Sequence, residues 1–557
     1  MQTRYFKMRN QFSELFLSKG LNYTKSDMPL NGALHFFNFI PDKDLIELGK
    51  YVSEEMIESA DFIDHGSKPK LQTWSILGKR IDYVRISPDH ERALKKLLGF
   101  GVVSKSSSGE FPWIYHFISG YIISDSGLFC TLTLTAQTAY AISKYGDALL
   151  KNQCFPFYIA GSDGWLGATY YSEIQGGSDL GNNTTIAIKT GTRWTLRGSD
   201  KYFASDAGLA DGAIVTAKVK EGYGVRNIGL FFVPALNLEN KPNYEIRRLK
   251  EKLGTTAVPT GEVEFRDTIA FPLGDLNKGI YYAMEVLTIS RIDDALAACG
   301  IARKALWEAY LYANERTSFG KKIIEHPLLR RDFIELESEL EGSMFLSLFA
   351  AMKFSNSCHE EPPYSDSYNL ARLLSHLSKN IAAETSTVIT RYAMEIFGGI
   401  GFFEEFPIAK FHRDAIVTSI WEGTSNIQAL DMLEAILKKK VHISLYEALN
   451  GLLGNINDNK TKERLKESIE EMKRELDHLL SQSNVELYSK DILNMMGHMV
   501  ASTLMFCISY SAKNHEDMES LLNMAEVYYQ KNVLKNSRLS ENVISNAGAL
   551  KWMEKRN

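Results

Sequence analysis

The feature that most constrains this chain is a change of period. Between about residues 165 and 272 apolar residues recur in short strand-like runs, with no helical stretch between them. On either side the repeat is three to four residues, the spacing of a helix face. Residues 185–189, a turn at Gly191 and residues 193–197 read as a β-hairpin. Runs at 213–217, 228–233 and 261–265 add strands, and their steady spacing predicts an antiparallel sheet or barrel rather than a parallel one. A chain of 557 residues is also too long for one compact unit, so three or four structural units are expected.

The flanking segments read as helix. Residues 30–160 carry Ile46, Tyr51, Val52 and Met56, then Ala93, Leu94, Leu97 and Leu98, at near-helical intervals. Helices return at 279–315, 327–356 and 370–397, the last broken at Gly398-Gly399. The paired prolines of 359–364 mark a loop. Beyond residue 438, Leu465, Ile469, Met472, Leu476 and Leu479 alternate four and three apart, an amphipathic helix. Two uncharged runs, 126–143 and 492–512, approach the length of a membrane span. Four threonines and a glutamine in the first, and Asn494, His498 and four hydroxyl residues in the second, make buried helices the reading.

Composition enters as an exclusion. A hydrophobic fraction of 45% and a charged fraction of 24% exclude a mainly disordered chain, and a net charge of −5 supplies no global field for nucleic acid or an acidic membrane. Five scattered cysteines with no Cys-x-x-Cys suggest neither a disulfide framework nor a thiolate zinc site, and fit a reducing, cytoplasmic setting. Arg4, Lys7 and Arg9 are followed by no apolar stretch, so the N-terminus does not read as a secretory signal. Cys358-His359-Glu360-Glu361 resembles metal ligands only superficially. It stands in a Pro-rich loop without a second cluster, so no metal is expected.

Four constellations can carry chemistry. Tyr171-Ser172-Glu173-Ile174-Gln175-Gly176-Gly177-Ser178-Asp179 offers a tight turn whose N–H groups and Ser178 can face a phosphate; the alternative is a plain turn between strands. Lys201-Tyr202-Phe203-Ala204-Ser205 can wall a flat ring and hydrogen-bond its edge, or simply fill a core. Arg316-Thr317-Ser318-Phe319-Gly320 follows a helix end, where the arginine can bind a phosphate or the helix's own carbonyls. Finally come Phe397-Gly398-Gly399-Ile400-Gly401-Phe402, Arg413-Asp414-Ala415 and Trp421-Glu422-Gly423-Thr424-Ser425-Asn426. Glu422 between an indole and a glycine is either a solvated helix-start glutamate or, against apolar walls, a base usable near neutral pH.

In this order and at these separations the motifs resemble those of the FAD-dependent acyl-CoA dehydrogenases, over about residues 30–437. Glu173-Ile174-Gln175-Gly176-Gly177-Ser178-Asp179, Ser290-Arg291-Ile292-Asp293, Ser419-Ile420-Trp421-Glu422-Gly423 and the long C-terminal extension are most similar to the branch of the bacterial alkylation-response flavoproteins. The resemblance implies an α+β, mainly α fold: an N-terminal helical domain (1–160), a middle β-barrel (161–274), a C-terminal four-helix bundle (275–440) and a helical extension (441–557). It implies FAD between barrel and bundle, with Tyr171 and Ser172 behind the ring, Gly177 and Ser178 near the pyrophosphate, and Phe203 and Ser205 at the flavin edge. Phe203 stands where many members have tryptophan. Arg316 and Phe319 would reach the cofactor across a dimer interface, Gly398 and Gly399 would let it approach the backbone, and Thr424 and Asn426 would line it. Pro327 replaces a cofactor-contacting glutamine of many members.

The activity so implied is α,β-dehydrogenation of an acyl-CoA thioester. Removing a weakly acidic α-proton as hydride leaves Cβ needs a carboxylate on one face and the flavin on the other. Glu422 takes that part, because the alternative slot on the long helix is Ser290, and Arg291 beside it would tune the site by charge. The implied partners are acyl-CoA and an electron-transfer flavoprotein, in a homodimer or homotetramer. Two other readings remain open: a nucleic-acid-associated protective flavoprotein and an oxygen-reducing acyl-CoA oxidase. The first sits poorly with residues 441–557, which carry 14 Lys/Arg against 16 Asp/Glu, a net of −2.

Overall fold

The computed structural model describes residues 15–535 and 547–554. Arg4, Lys7 and Arg9 therefore lie outside the described residues. Two compact units make up the chain: one comprises Met1–Glu58, Phe117–Ser124 and Asp294–Asn557, the other Ser59–His116 and Asp125–Asp293.

The second unit is built on strands. β1 (Lys70–Trp74) and β2 (Arg80–Arg85) form a hairpin inside the segment whose period reads as helical. Its alternation is short, with Asp82 and Val84 turned inward, and helical runs on both sides mask it. The main sheet has seven strands: β3 (Gly167–Tyr170), β4 (Ile186–Thr190), β5 (Arg193–Ser205), β6 (Gly212–Lys218), β7 (Ile228–Pro234), β8 (Glu245–Leu249) and β9 (Thr260–Pro272). β4 and β5 are the expected hairpin, paired from Ile186↔Arg197 to Thr190↔Arg193, with Gly191 at φ 62 in the turn. β7 pairs with both β9 and β6, so the path β6-β4-β5-β9-β7 closes on itself as a barrel. The sheet is mainly antiparallel, as expected, but not throughout. β3 runs parallel to β6, from Gly167↔Gly212 to Tyr170↔Val215, and β4 meets β6 in parallel at Ile186↔Lys218. Chain between β3 and β6, including the β4–β5 hairpin, is long enough to return a strand in the same direction. Ala168, Tyr170, Leu196, Val215, Phe231, Val233, Val263 and Phe265 fill the interior.

Helices dominate elsewhere. Those used below are α1 (Met28–Phe36), α2 (Ile114–Ile123), α3 (Ser126–Tyr145), α4 (Gly279–Glu315), α5 (Pro327–Ser357), α6 (Asp366–Phe397), α7 (Pro407–Val417), α8 (Ser425–Lys439), α9 (Asn459–Leu480), α10 (Ser489–Tyr510) and α11 (His515–Tyr528). Side-chain caps start several of them: Asp27 accepts from Leu30 N–H at α1, Ser365 from Ser367 and Tyr368 N–H at α6, and Asp458 from Thr461 N–H at α9. Both uncharged runs are interior helices. Nearly all of α3 is buried, and 83% of the most apolar 18-residue window of Val485–Tyr510 lies inside the protein. α10 packs on α5, α6 and α8, so the extension shares a core with the helices before it. In the Pro-rich loop, Glu360 accepts from Ser365 N–H (2.9 Å) and Oγ (2.7 Å), tying the loop to α6. All five cysteines are free thiols. The architecture is the expected one, mainly helical with a barrel-like sheet.

Candidate active site

In the sheet-containing unit, the segment after β3 is pinned from beneath by a buried ion pair. Lys201 Nζ lies 3.1 Å from Glu173 Oε1 and donates to Tyr171 O (3.1 Å) and Thr216 Oγ1 (3.3 Å). Glu173 also accepts from Thr184 N–H and Oγ1 and from Thr185 N–H. Burial alone would raise its carboxyl, but Lys201 and these donors hold it near 2. Asn183 Nδ2 donates to Tyr171 O as well (3.0 Å). The turn so anchored exposes Gly177 and Ser178, and Gly176 sits at φ 123, open only to glycine. A Cβ at Gly177 would stand 2.1 Å from Ser172 Oγ, so Ser172 and Gly177 are in immediate contact. Phe203, on β5, is 53% exposed, with Lys250 Nζ over its neighbour Tyr202; Ser205, at the strand's end, is half-buried. Next in sequence, Asp206 is fully buried at φ 58, holding one carboxyl oxygen to Thr131 Oγ1 (3.1 Å). Ser290 and Arg291 are interior residues of α4, the serine hydroxyl donating to Leu287 O (3.1 Å).

In the other unit, α4 ends at Glu315 and the chain turns through a two-residue hairpin, Thr317–Ser318 against Lys321–Lys322. Phe319 (φ 51) and Gly320 (φ 81) form its tip, and the phenyl ring is 94% exposed. Arg316 is exposed at the hairpin's base and, among the described residues, pairs with no carboxylate. Gly398 ends α6 at φ 66. Gly399 has no positive φ and no atom near its would-be Cβ, so nothing in the chain itself calls for glycine there.

Glu422 occupies a tight turn between α7 and α8. Its φ is 58 and that of Gly423 is 100, a left-handed pair whose first member is not glycine. Such a turn persists only when its surroundings over-determine it. Gln428 Nε2, one turn into α8, donates to both Glu422 O (3.0 Å) and Gly423 O (2.8 Å). His376 Nδ1 lies 2.8 Å from Gln428 Oε1, and Lys379 Nζ donates to Gly423 O at 2.8 Å. Trp421 Nε1 donates to Asp294 of α4. Glu422 itself is half-buried, while Thr424, the α8 N-cap, and Asn426 are exposed.

Sequence reasoning missed four of these residues: Asp294, His376, Lys379 and the role of Gln428. Lys379 carried only a faint signal: Ser375 and Ala382 stand four before and three after it, on a face that the structure shows to be buried. The residues expected to hold FAD suit it in chemistry. An exposed aromatic face with a hydroxyl beside it fits a flat ring, and an open glycine-serine turn and an uncommitted arginine fit phosphate. Gly399 adds an exposed stretch of backbone.

These features agree with known proteins. The model of the acyl-CoA dehydrogenase middle domain matches residues 168–268, and that of the acyl-CoA dehydrogenase C-terminal domain matches 277–437. The short-chain-specific acyl-CoA dehydrogenase of Megasphaera elsdenii is 31% identical over 321 residues, 56% of this chain and 79% of that protein. The putative acyl-CoA dehydrogenase AidB of Escherichia coli is 28% identical over 436 residues, 74% of this chain and 78% of that one. In structure, ACDH-11 of Caenorhabditis elegans, solved in complex with C11-CoA, aligns with a TM-score of 0.82 at 22% identity, covering 94% of this chain and 93% of its own. Motif order, barrel and helical architecture and these matches lead to one conclusion: the chain belongs to the acyl-CoA dehydrogenase family, oxidoreductases acting on acyl-CoA with FAD as cofactor.

Proposed function

We propose that this protein dehydrogenates an acyl-CoA thioester between Cα and Cβ, with Glu422 as the base. The observation that carries the reading is the Glu422 turn, a glutamate held in a costly left-handed conformation by buried donors to its own and the next carbonyl. A residue needed only as a polar helix start would not require such support. Bound FAD supplies the acceptor for the hydride that leaves Cβ. Glu422 takes the α-proton onto its carboxylate, and its backbone N–H donates to the thioester oxygen, polarising the carbonyl as that proton leaves. Tyr171, Ser172, Gly177, Ser178, Phe203, Ser205, Thr424 and Asn426 hold the cofactor. Arg316, Phe319, Gly398 and Gly399 hold its phosphate and adenosine side, the exposed Phe319 hairpin reaching a second copy in a homodimer or homotetramer. Arg291, buried on α4, tunes the site by its charge. Electrons leave through an electron-transfer flavoprotein.

The test is Glu422→Gln. The variant should purify with its flavin and lose about two orders of magnitude or more in the rate at which acyl-CoA bleaches it, the range of a general base. Bleaching within a few-fold of the parent would reject the assignment.

A further inference from the structure

Behind the Glu422 turn lies a charged pair that the reaction itself does not use. Asp294 and Lys379 are both buried, their side chains 3% and 1% exposed, with Lys379 Nζ 3.7 Å from Asp294 Oδ2. Asp294 comes from α4 and Lys379 from α6, two helices far apart in sequence. Each also grips the turn. Asp294 accepts from the Trp421 indole N–H, on the residue before the base, and Lys379 donates to the carbonyl of Gly423, on the residue after it.

Burying two charges costs several kcal/mol per ion before their attraction repays it, and an apolar pair of similar volume is often as stable. A pair placed here is therefore better explained by what it positions than by what it stabilises. Gln428 binds both carbonyls through a single neutral amide, and His376 meets the oxygen of that amide. Lys379 adds a charged donor to the Gly423 carbonyl, from a different helix than Gln428. Burial pushes the Asp294 carboxyl up, Lys379 and the indole pull against that rise, and the charge of Glu422 adds to it, so the base and the pair sense each other.

We propose that Lys379 and Asp294 are positioning residues for the base: Asp294 fixes the Trp421 indole and the ammonium, and the ammonium fixes the Gly423 carbonyl, so that the Glu422 carboxylate and N–H keep their places through the reaction. This rests on Glu422 being the base.

The experiment uses the full-length holoenzyme and the rate of acyl-CoA-driven bleaching per bound flavin. Lys379→Met should lower kcat about tenfold or more with KM within twofold, because loosened geometry acts on the reacting step. Lys379→Arg, which can still reach a carbonyl, should recover part of that loss. Asp294→Asn keeps an acceptor for the indole and should fall less than Asp294→Leu. In a Glu422→Gln background, Lys379→Met should cost less than a further twofold, since the group it positions is gone. A kcat for Lys379→Met within twofold of the parent, or a full tenfold loss repeated in the Glu422→Gln background, overturns the proposal. Should Lys379→Met fail to fold, Asp294→Asn decides alone: unchanged kcat overturns, a several-fold loss with unchanged KM supports. If instead Glu422→Gln bleaches like the parent, it is the base assignment that fails, and the two failures are told apart.

Discussion

At the residue scale, the site divides into side chains that announce themselves and side chains that do not. Glu422 draws notice in the sequence because it stands between Trp421 and Gly423 in a motif that resembles the family's. Lys379 and Asp294 do so hardly at all, because a charge on a helix reads as a solvated face until its burial is known. Asp206 is a further example. It follows Ser205, and only the fold shows that its carboxyl is fully buried, with burial pushing it up to about 7 against the smaller pull of Thr131 and Lys252. Its folded value lies above the 3.8 of an ordinary aspartate, so the proton is held more tightly in the folded form. Stability from this group is therefore present below pH 3.8 and is lost as the pH climbs to about 7. Asp206→Asn, which tolerates the same left-handed φ, should raise the melting temperature, and the gain over the parent should grow from pH 5 to pH 8. A gain that is absent or shrinks with pH would mean the carboxyl is not buried as described. Glu173 runs the other way. Held near 2, it contributes stability above 4.5 that is lost as pH falls toward 2.

At the element scale, periodicity identified the long helices because each presents an apolar face over many turns, as in α4, α5 and α6. It found most strands of the sheet, and the β4–β5 hairpin in register, because alternation and a glycine turn coincide there. It missed the β1–β2 hairpin and the parallel pairing of β3 with β6, since a five-residue alternation is weak and strand direction is set by connections that no local pattern records. Helix crossings were equally invisible, although glycines mark them in hindsight. Gly300 of α4 lies so close to α2 that a Cβ would stand 2.2 Å from the Tyr121 carbonyl oxygen. Gly497 of α10 meets only the end of a side chain, Ile381 Cδ1 at 2.4 Å. Gly300→Ala should therefore destabilise by about 1–3 kcal/mol, the range for overpacking against a surface that cannot yield. Gly497→Ala should cost less, because an isoleucine can change rotamer and alanine favours helix. Chemical denaturation of the two variants checks the order, and equal losses would show that neither crossing is tight.

At the scale of the whole molecule, the extension is no appendage. α10 is packed into the helical unit, α11 lies against it, and Asn494 Oδ1 accepts from Asn380 Nδ2 (2.9 Å), one residue from Lys379. With its net of −2, residues 441–557 should bind duplex DNA only weakly. Fluorescence anisotropy at physiological salt checks this, and a sub-micromolar Kd would reopen the nucleic-acid reading. The helical unit also draws on both ends of the chain: Met1–Glu58 belongs with Asp294–Asn557, and the Trp307 indole N–H donates to Met553 O (3.0 Å). On a translating ribosome residues 15–58 emerge well before residues 294–554, so their packing faces wait for partners that are made much later, and assembly of that unit trails the synthesis of its earliest helices.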